Sequence, residues 1–206
     1  NGTWLGVLSL LKEQAGYPWT TLPDYMFEHA GQGYAAHGTL CGALGVSACL
    51  INLVLYDKEH SYTAVIDRLF WWYAQMYFPT ERFDAISACP NQIKVQAKTP
   101  LCHTSVTKWT LAAGAEVSSK EKYERCAKVA GEVVYTVVHY LNEYFEGRWK
   151  PAKWTPSPEI THCIQCHGPE SYGQYGDGMN QQQGHMECLL CHKDHMKDLL
   201  NKRAKK

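Results

Sequence analysis

A chain of 206 residues exceeds the usual single small domain, so one domain of about 150 residues with a small appendage is the expected layout. Hydrophobic residues at 45% and charged residues at 19% provide for a packed core and exclude a disordered chain. Zero net charge argues against a nucleic-acid partner, and the only basic run, Lys202 to Lys206, reads as a solvated tail.

The sequence opens at Asn1 with no charged-then-apolar leader, as expected of an exported, periplasmic protein whose signal peptide has been removed. Trp4, Leu5, Leu8 and Leu11 recur at helical spacing, and the two prolines of Tyr17 to Asp24 end that pattern. Gly38 to Tyr56 is the longest uncharged stretch, long enough to raise a membrane span. Its Thr39, Ser47, Asn52, Cys41 and Cys49 predict a buried core helix from about Thr39 instead, and no span. From Glu59 to Phe78 an apolar stripe runs through Tyr62, Val65, Ile66, Leu69, Phe70, Tyr73 and Tyr77, and Pro79 stops it. An irregular stretch holding Cys89 and Pro90 follows, then a short helix over Leu101 to Ala113. The last long helix starts near Ser118 and Ser119, with Glu121 in its first turn and Cys126, Ala130, Val133, Val137 and Leu141 on one face. Few stretches alternate with period two, so no sheet is expected. The fold class is all-α, with a helical domain over residues 1–149.

Lys150 to Pro158 contains three prolines and cannot continue a helix, so it reads as a linker. The remaining residues, 159–206, are rich in Gly, Gln, Cys and His and poor in aliphatics. Such a segment cannot build a core alone and is expected to have little regular structure. Something else must fill its interior.

Two motifs there say what. Cys163-Ile164-Gln165-Cys166-His167 and Cys188-Leu189-Leu190-Cys191-His192 are both C-x-x-C-H, the pattern of covalent haem c attachment. The two thiols add across the porphyrin vinyl groups, and the following His becomes the proximal iron ligand. Zinc is the rival for paired C-x-x-C, but 21 residues separate the pairs, and a four-cysteine zinc site has no use for a His after each. A thioredoxin-like motif fails for want of a βαβ pattern. Two haems are therefore expected, and the high aromatic content suits the packing of flat cofactors. His162, His185 and His195 are the candidates for the distal axial positions, with bis-His preferred to His/Met coordination by Met179, Met186 or Met196. His162 and His195 lie too close to their own motifs to reach the far face of the nearest haem. Each is better placed to cap the other haem, or one in a second subunit.

The other five cysteines, Cys41, Cys49, Cys89, Cys102 and Cys126, are widely separated. They read either as buried thiols or disulfides or as an iron–sulfur or other metal site that only the fold can assemble. The segments Gly38-Thr-Leu-Cys41-Gly-Ala-Leu, Pro100-Leu-Cys102 and Arg125-Cys126-Ala-Lys-Val resemble the C_GCAxxG_C_C family of redox proteins over roughly Gly31 to Leu141. That domain followed by two C-x-x-C-H motifs resembles the split-Soret cytochromes c of anaerobic, sulfate-respiring bacteria. The resemblance implies a homodimer with bis-His haems packed face to face, and an iron–sulfur centre, here expected to be of the 2Fe–2S type, in the helical domain. It carries Cys41, Cys102 and Cys126 over as cluster ligands. The family's N-terminal cysteine has no counterpart before Cys41, so Cys89 is taken as the fourth ligand and Cys49 as packing.

The function expected is one-electron transfer between unidentified redox proteins, with no catalytic residues. The alternative is a small-molecule reductase in which one haem keeps an open axial site. Gly31-Gln32-Gly33 lacks both the third glycine and the preceding strand of a phosphate loop and is set aside.

Overall fold

The computed structural model describes residues 2–56, 61–152, 155–167 and 185–195, leaving aside the side chains of His162, Gln165 and Cys166. The chain divides into two compact units, Asn1–Lys153 and Trp154–Lys206.

In the first unit, α1 (Gly2–Gln14) buries Trp4, Val7 and Leu8, one helical face at spacings of three and four. The Trp4 indole N–H donates to the Pro23 carbonyl at 2.9 Å, which ties the proline-rich turn back onto the helix. Helix α2 (Gly42–Leu55) starts later than the apolar run suggests. Leu40 is held in an antiparallel bridge to Leu101, with Cys41 N donating to Pro100 O at 2.9 Å and Cys102 N donating to Thr39 O at 2.7 Å. Its residues serve two apolar clusters. Leu44, Ile51 and Leu55 pack with α3 (Ser61–Gln75) and α5 (Lys120–Phe145), while Val46 and Leu50 pack with α1. Burial on several sides explains why α2 is apolar nearly all round. Among the described residues no helix is long and apolar enough to cross a membrane.

The stripe expected to end at Phe78 stops as a helix at Gln75. The two residues Tyr77–Phe78 form β1 and pair antiparallel with Val95–Gln96, β2, in the register Tyr77 to Gln96 and Phe78 to Val95. A residue before proline is pushed from the helical to the extended region, and Phe78 precedes Pro79. This small hairpin corrects the expectation of no sheet; at the other end, Glu59 and His60 lie outside the described residues. Helix α4 (Cys102–Ala113) closes on Gly114 in the left-handed region. Helix α5 is capped by Ser119, whose Oγ accepts from Lys122 N at 3.2 Å.

In the second unit, α6 (Thr161–His167) lies over the first C-x-x-C-H motif, a regular element in a segment expected to have little. Ile160 and Ile164, one turn apart, are both buried. A short 3-10 turn covers Cys188–Leu190 at the second motif. The Ser157 hydroxyl donates to Glu187 Oε2 at 2.7 Å, clipping the residue before the second motif to the turn that precedes α6.

Candidate redox site

Three of the sequence-predicted cysteines meet at one cavity of about 550 Å³ in the first unit: Cys41, Cys102 and Cys126. Cys41 is the residue before α2, Cys102 opens α4, and Cys126 sits in the second turn of α5. The bridge between Leu40 and Leu101 sets the first two side by side at the starts of their helices.

The approach is close enough to dictate a glycine. Gly33 has φ +72°, and a Cβ built there would fall 2.7 Å from the Cys102 Cβ. Only a residue without a side chain fits both that backbone and that contact. Gly33 belongs to an unusual run, since Gln32, Tyr34, Ala35 and Ala36 also have φ between 50° and 67°. Left-handed backbone costs roughly 1–2 kcal/mol for each residue bearing a Cβ, so this turn is held by its surroundings. Thr39 N and Thr39 Oγ1 both donate to the Gly33 carbonyl, and Gly38 N donates to Gln32 O. The Gly-x-Gly of the sequence thus shapes the wall of the cysteine cavity.

Charge is arranged around the thiols. Burial pushes the Cys102 thiol up to about 11, reinforced by Cys41 and Cys126 and opposed by Arg125 and Lys122. The Arg125 Nη2 donates to Ser105 Oγ at 2.7 Å, and the Tyr73 hydroxyl donates to the same oxygen at 3.0 Å. Burial holds the Tyr73 phenol well above its ordinary range, and the Cys41 thiol interacts with it. Sequence reasoning missed Tyr73, Ser105 and Lys122 as parts of this site. A signal existed in α5: Lys122 and Arg125 lie four and one residues before Cys126, and cations beside an otherwise apolar face need a reason.

Cys89 and Cys49 are not brought to this cavity. The Cys89 carbonyl accepts from Lys128 Nζ at 2.7 Å, and the neighbouring Ala88 N and Ser87 Oγ donate to Glu124 at 3.1 and 2.9 Å. Glu124 and Lys128 share one face of α5, and Cys126 lies about 200° round the helix from Glu124. Cys49 is two turns beyond Cys41 on α2, half-buried, with Tyr34 in electrostatic reach of both thiols. Burial raises its thiol as well.

Among the described residues no three His, Cys, Asp or Glu side chains converge tightly enough for a single metal ion. Three soft thiols around one cavity, flanked by two cations, suit an iron–sulfur cluster, whose irons are spread over more than one position.

In the second unit, Cys163 and His167 stand four residues apart on α6, both half-buried and therefore on one helical face. Cys188 has its thiol raised by burial first and then by Cys163 and Glu187, so the two motifs lie within electrostatic reach. The His192 and Cys191 backbone N–H groups both donate to Cys188 O, at 2.9 and 3.2 Å, which folds the second motif into a tight turn. The rings of His167 and His195 lie 6.0 Å apart, centroid to centroid, at an interplanar angle of 80°. His185 is exposed, the side chains of His162 and Cys166 lie outside what is described, and so do Met179 and Met196.

Residues 6–140 match a family model described as "Putative redox-active protein (C_GCAxxG_C_C)". The split-Soret cytochrome c of Desulfovibrio desulfuricans is 27% identical over 194 residues, spanning 93% of this chain and 67% of the relative. A solved structure, described as "a novel iron centre in the split-Soret cytochrome c" of that organism, superposes with a TM-score of 0.78. The two are 25% identical, and the match covers 94% of this chain and 79% of the other. The chain is homologous to that cytochrome in sequence and in structure.

Proposed function

The chain belongs to the C_GCAxxG_C_C family of redox-active proteins, and on that premise we propose that it is a periplasmic electron carrier, a dihaem c-type cytochrome with an additional iron–sulfur centre. Homology to a cytochrome supports electron transfer in place of enzymatic turnover. When bound, the haems and the cluster supply reversible one-electron steps.

The side chains have separable tasks. Cys163 and Cys166 would tether one haem and Cys188 and Cys191 the other, with His167 and His192 as proximal ligands. Cys41, Cys102 and Cys126 would hold the cluster. The helical unit then serves as the cluster domain, and the segment after the linker as the haem carrier.

The observation that carries the reading is the pair His167 and His195. A metal–imidazole bond of about 2 Å on each side, plus about 1 Å from nitrogen to ring centre, separates two axial rings by roughly 6 Å. The 6.0 Å between these rings matches that spacing. It supports bis-His coordination with His195 capping the haem of the first motif, and it weighs against an open axial site there. The second haem would take its distal ligand from His162 or His185, or from a second copy of the chain. A tail with few aliphatics cannot cover two porphyrins alone. Burying apolar surface at about 25 cal/mol per Å² favours a homodimer built through the haems.

The test is His195→Ala, followed by visible and paramagnetic resonance spectra of the oxidised protein. One of the two haems is expected to change from low-spin to high-spin while both stay covalently attached. Two unchanged low-spin haems would remove His195 from the axial set.

A further inference from the structure

Among the described residues, two buried cations at the cysteine cavity pair with no carboxylate. Four charged side chains of α5 are buried, and two are neutralised: Lys128 pairs with Asp84, and Glu132 with Arg82. Lys122 and Arg125 are equally buried, at 3% and 2% exposure, yet among the described residues neither pairs with a carboxylate. Among the described residues Arg125 Nε is fully buried without a hydrogen-bond partner, and Lys122 Nζ sits over the face of the Tyr123 ring, at 3.5 Å. An unpaired buried charge or donor is costly, so such a pair is retained where something outside the chain completes it.

The surroundings have the same sign. Among the described residues no acidic side chain lines the cavity. The first turns of α2 and α4 both open onto it, and neither helix has a side-chain cap. Cys102 N and His103 N at the start of α4 are already bonded to Thr39 O and Gly38 O, so it is the dipoles of the two helices that add positive potential to that of the two cations. Three thiols are present, and among the described residues no fourth cysteine lines the cavity. At about 550 Å³ the cavity falls in the range of small-molecule pockets.

We propose that this cavity binds a small inorganic oxyanion, held by Arg125 and Lys122 beside the three thiols. The inference rests on the redox reading for the presence of a cluster but not for the anion, because the cations and helix termini are complete without iron. A guanidinium favours an oxyanion over a halide, since its planar fork matches two oxygens at once. Arg125 supplies the guanidinium and Lys122 a second charge, both from side chains that line the cavity.

The experiment uses the intact holoprotein and sulfate as the probe, with sodium chloride at equal ionic strength as the control. Binding is read by calorimetry, and iron and acid-labile sulfide are counted on the same samples, so a missing cluster and a missing anion site are separate results. Saturable sulfate binding that chloride does not reproduce is expected. Arg125→Met and Lys122→Met should each weaken it about tenfold or more, as loss of a charged hydrogen bond requires, and Arg125→Lys less. Ala130→Leu, which fills the cavity while keeping both cations, should abolish it even where the charge variants prove hard to fold. Absence of saturable binding to the wild-type protein would overturn the proposal, as would binding that survives Ala130→Leu unchanged.

Discussion

Cys163 and His167 stand four residues apart on one short helix, and the second motif folds into a single turn from Cys188 to His192. Cys41 just before α2, Cys102 in α4 and Cys126 in α5 meet only because the three helices pack around a common cavity. The first kind of site is written locally and should survive damage elsewhere. The second is a product of tertiary packing and should fail when any one wall of the cavity is disturbed.

Removing a haem tether should give the largest effect. Cys163→Ala combined with Cys166→Ala is expected to lower the intact mass by one haem and halve the haem absorbance, with the cluster iron untouched. A mass that keeps both haems would break the local account of the motifs. Next comes Cys102→Ser, which should abolish the iron found beyond the haems and leave the haem spectrum in place. Cys89→Ser should do neither, because its segment is tied to the opposite face of α5. Iron lost equally in both variants would show that the two faces of α5 are not distinct.

A change at Gly33 probes the packing itself. Gly33→Ala forces a Cβ into left-handed backbone and onto Cys102. It is expected to cost about 1–3 kcal/mol, seen as a lower melting temperature, together with reduced cluster iron and normal haem content. Full cluster iron and an unchanged melting point would contradict the wall that Gly33 forms. The smallest effect concerns pH. Hydrogen bonds from Lys128 first, and then from Asn91 N, hold the Asp84 carboxyl below the usual carboxylate range. A lowered folded-state value means that the stabilisation is complete above the unfolded range, near about 4, and fades as pH falls through the lower folded value. Asp84→Asn should therefore narrow the difference in thermal stability between neutral and acidic solution. An undiminished difference would assign acid sensitivity to other groups.

The same contrast explains what the sequence makes legible. The C-x-x-C-H motifs stand out in the sequence because the chemistry proposed for them depends on neighbours two to four residues away. The helices are readable from periodicity, with errors where pairing competes: Leu40 joins a bridge and delays α2, and Tyr77 and Phe78 leave α3 for a hairpin. Cys89 looked plausible as a ligand because it lies in an irregular stretch beside Pro90. Its position depends on Glu124 and Lys128 holding that stretch, a pairing that spacing does not encode. Arg125 and Lys122 carry a signal, since they are cations placed next to an apolar face. That neither meets a carboxylate among the described residues emerges only when the pairs Lys128 with Asp84 and Arg82 with Glu132 are seen to be formed and theirs is not.

The most direct test of the redox reading combines intact mass, total iron and acid-labile sulfide on one anaerobically purified sample. The account predicts a mass two haems above the polypeptide, iron in excess of the haem complement, and sulfide in proportion to that excess. A mass equal to the bare chain, or iron that matches the haems with no labile sulfide, would contradict it.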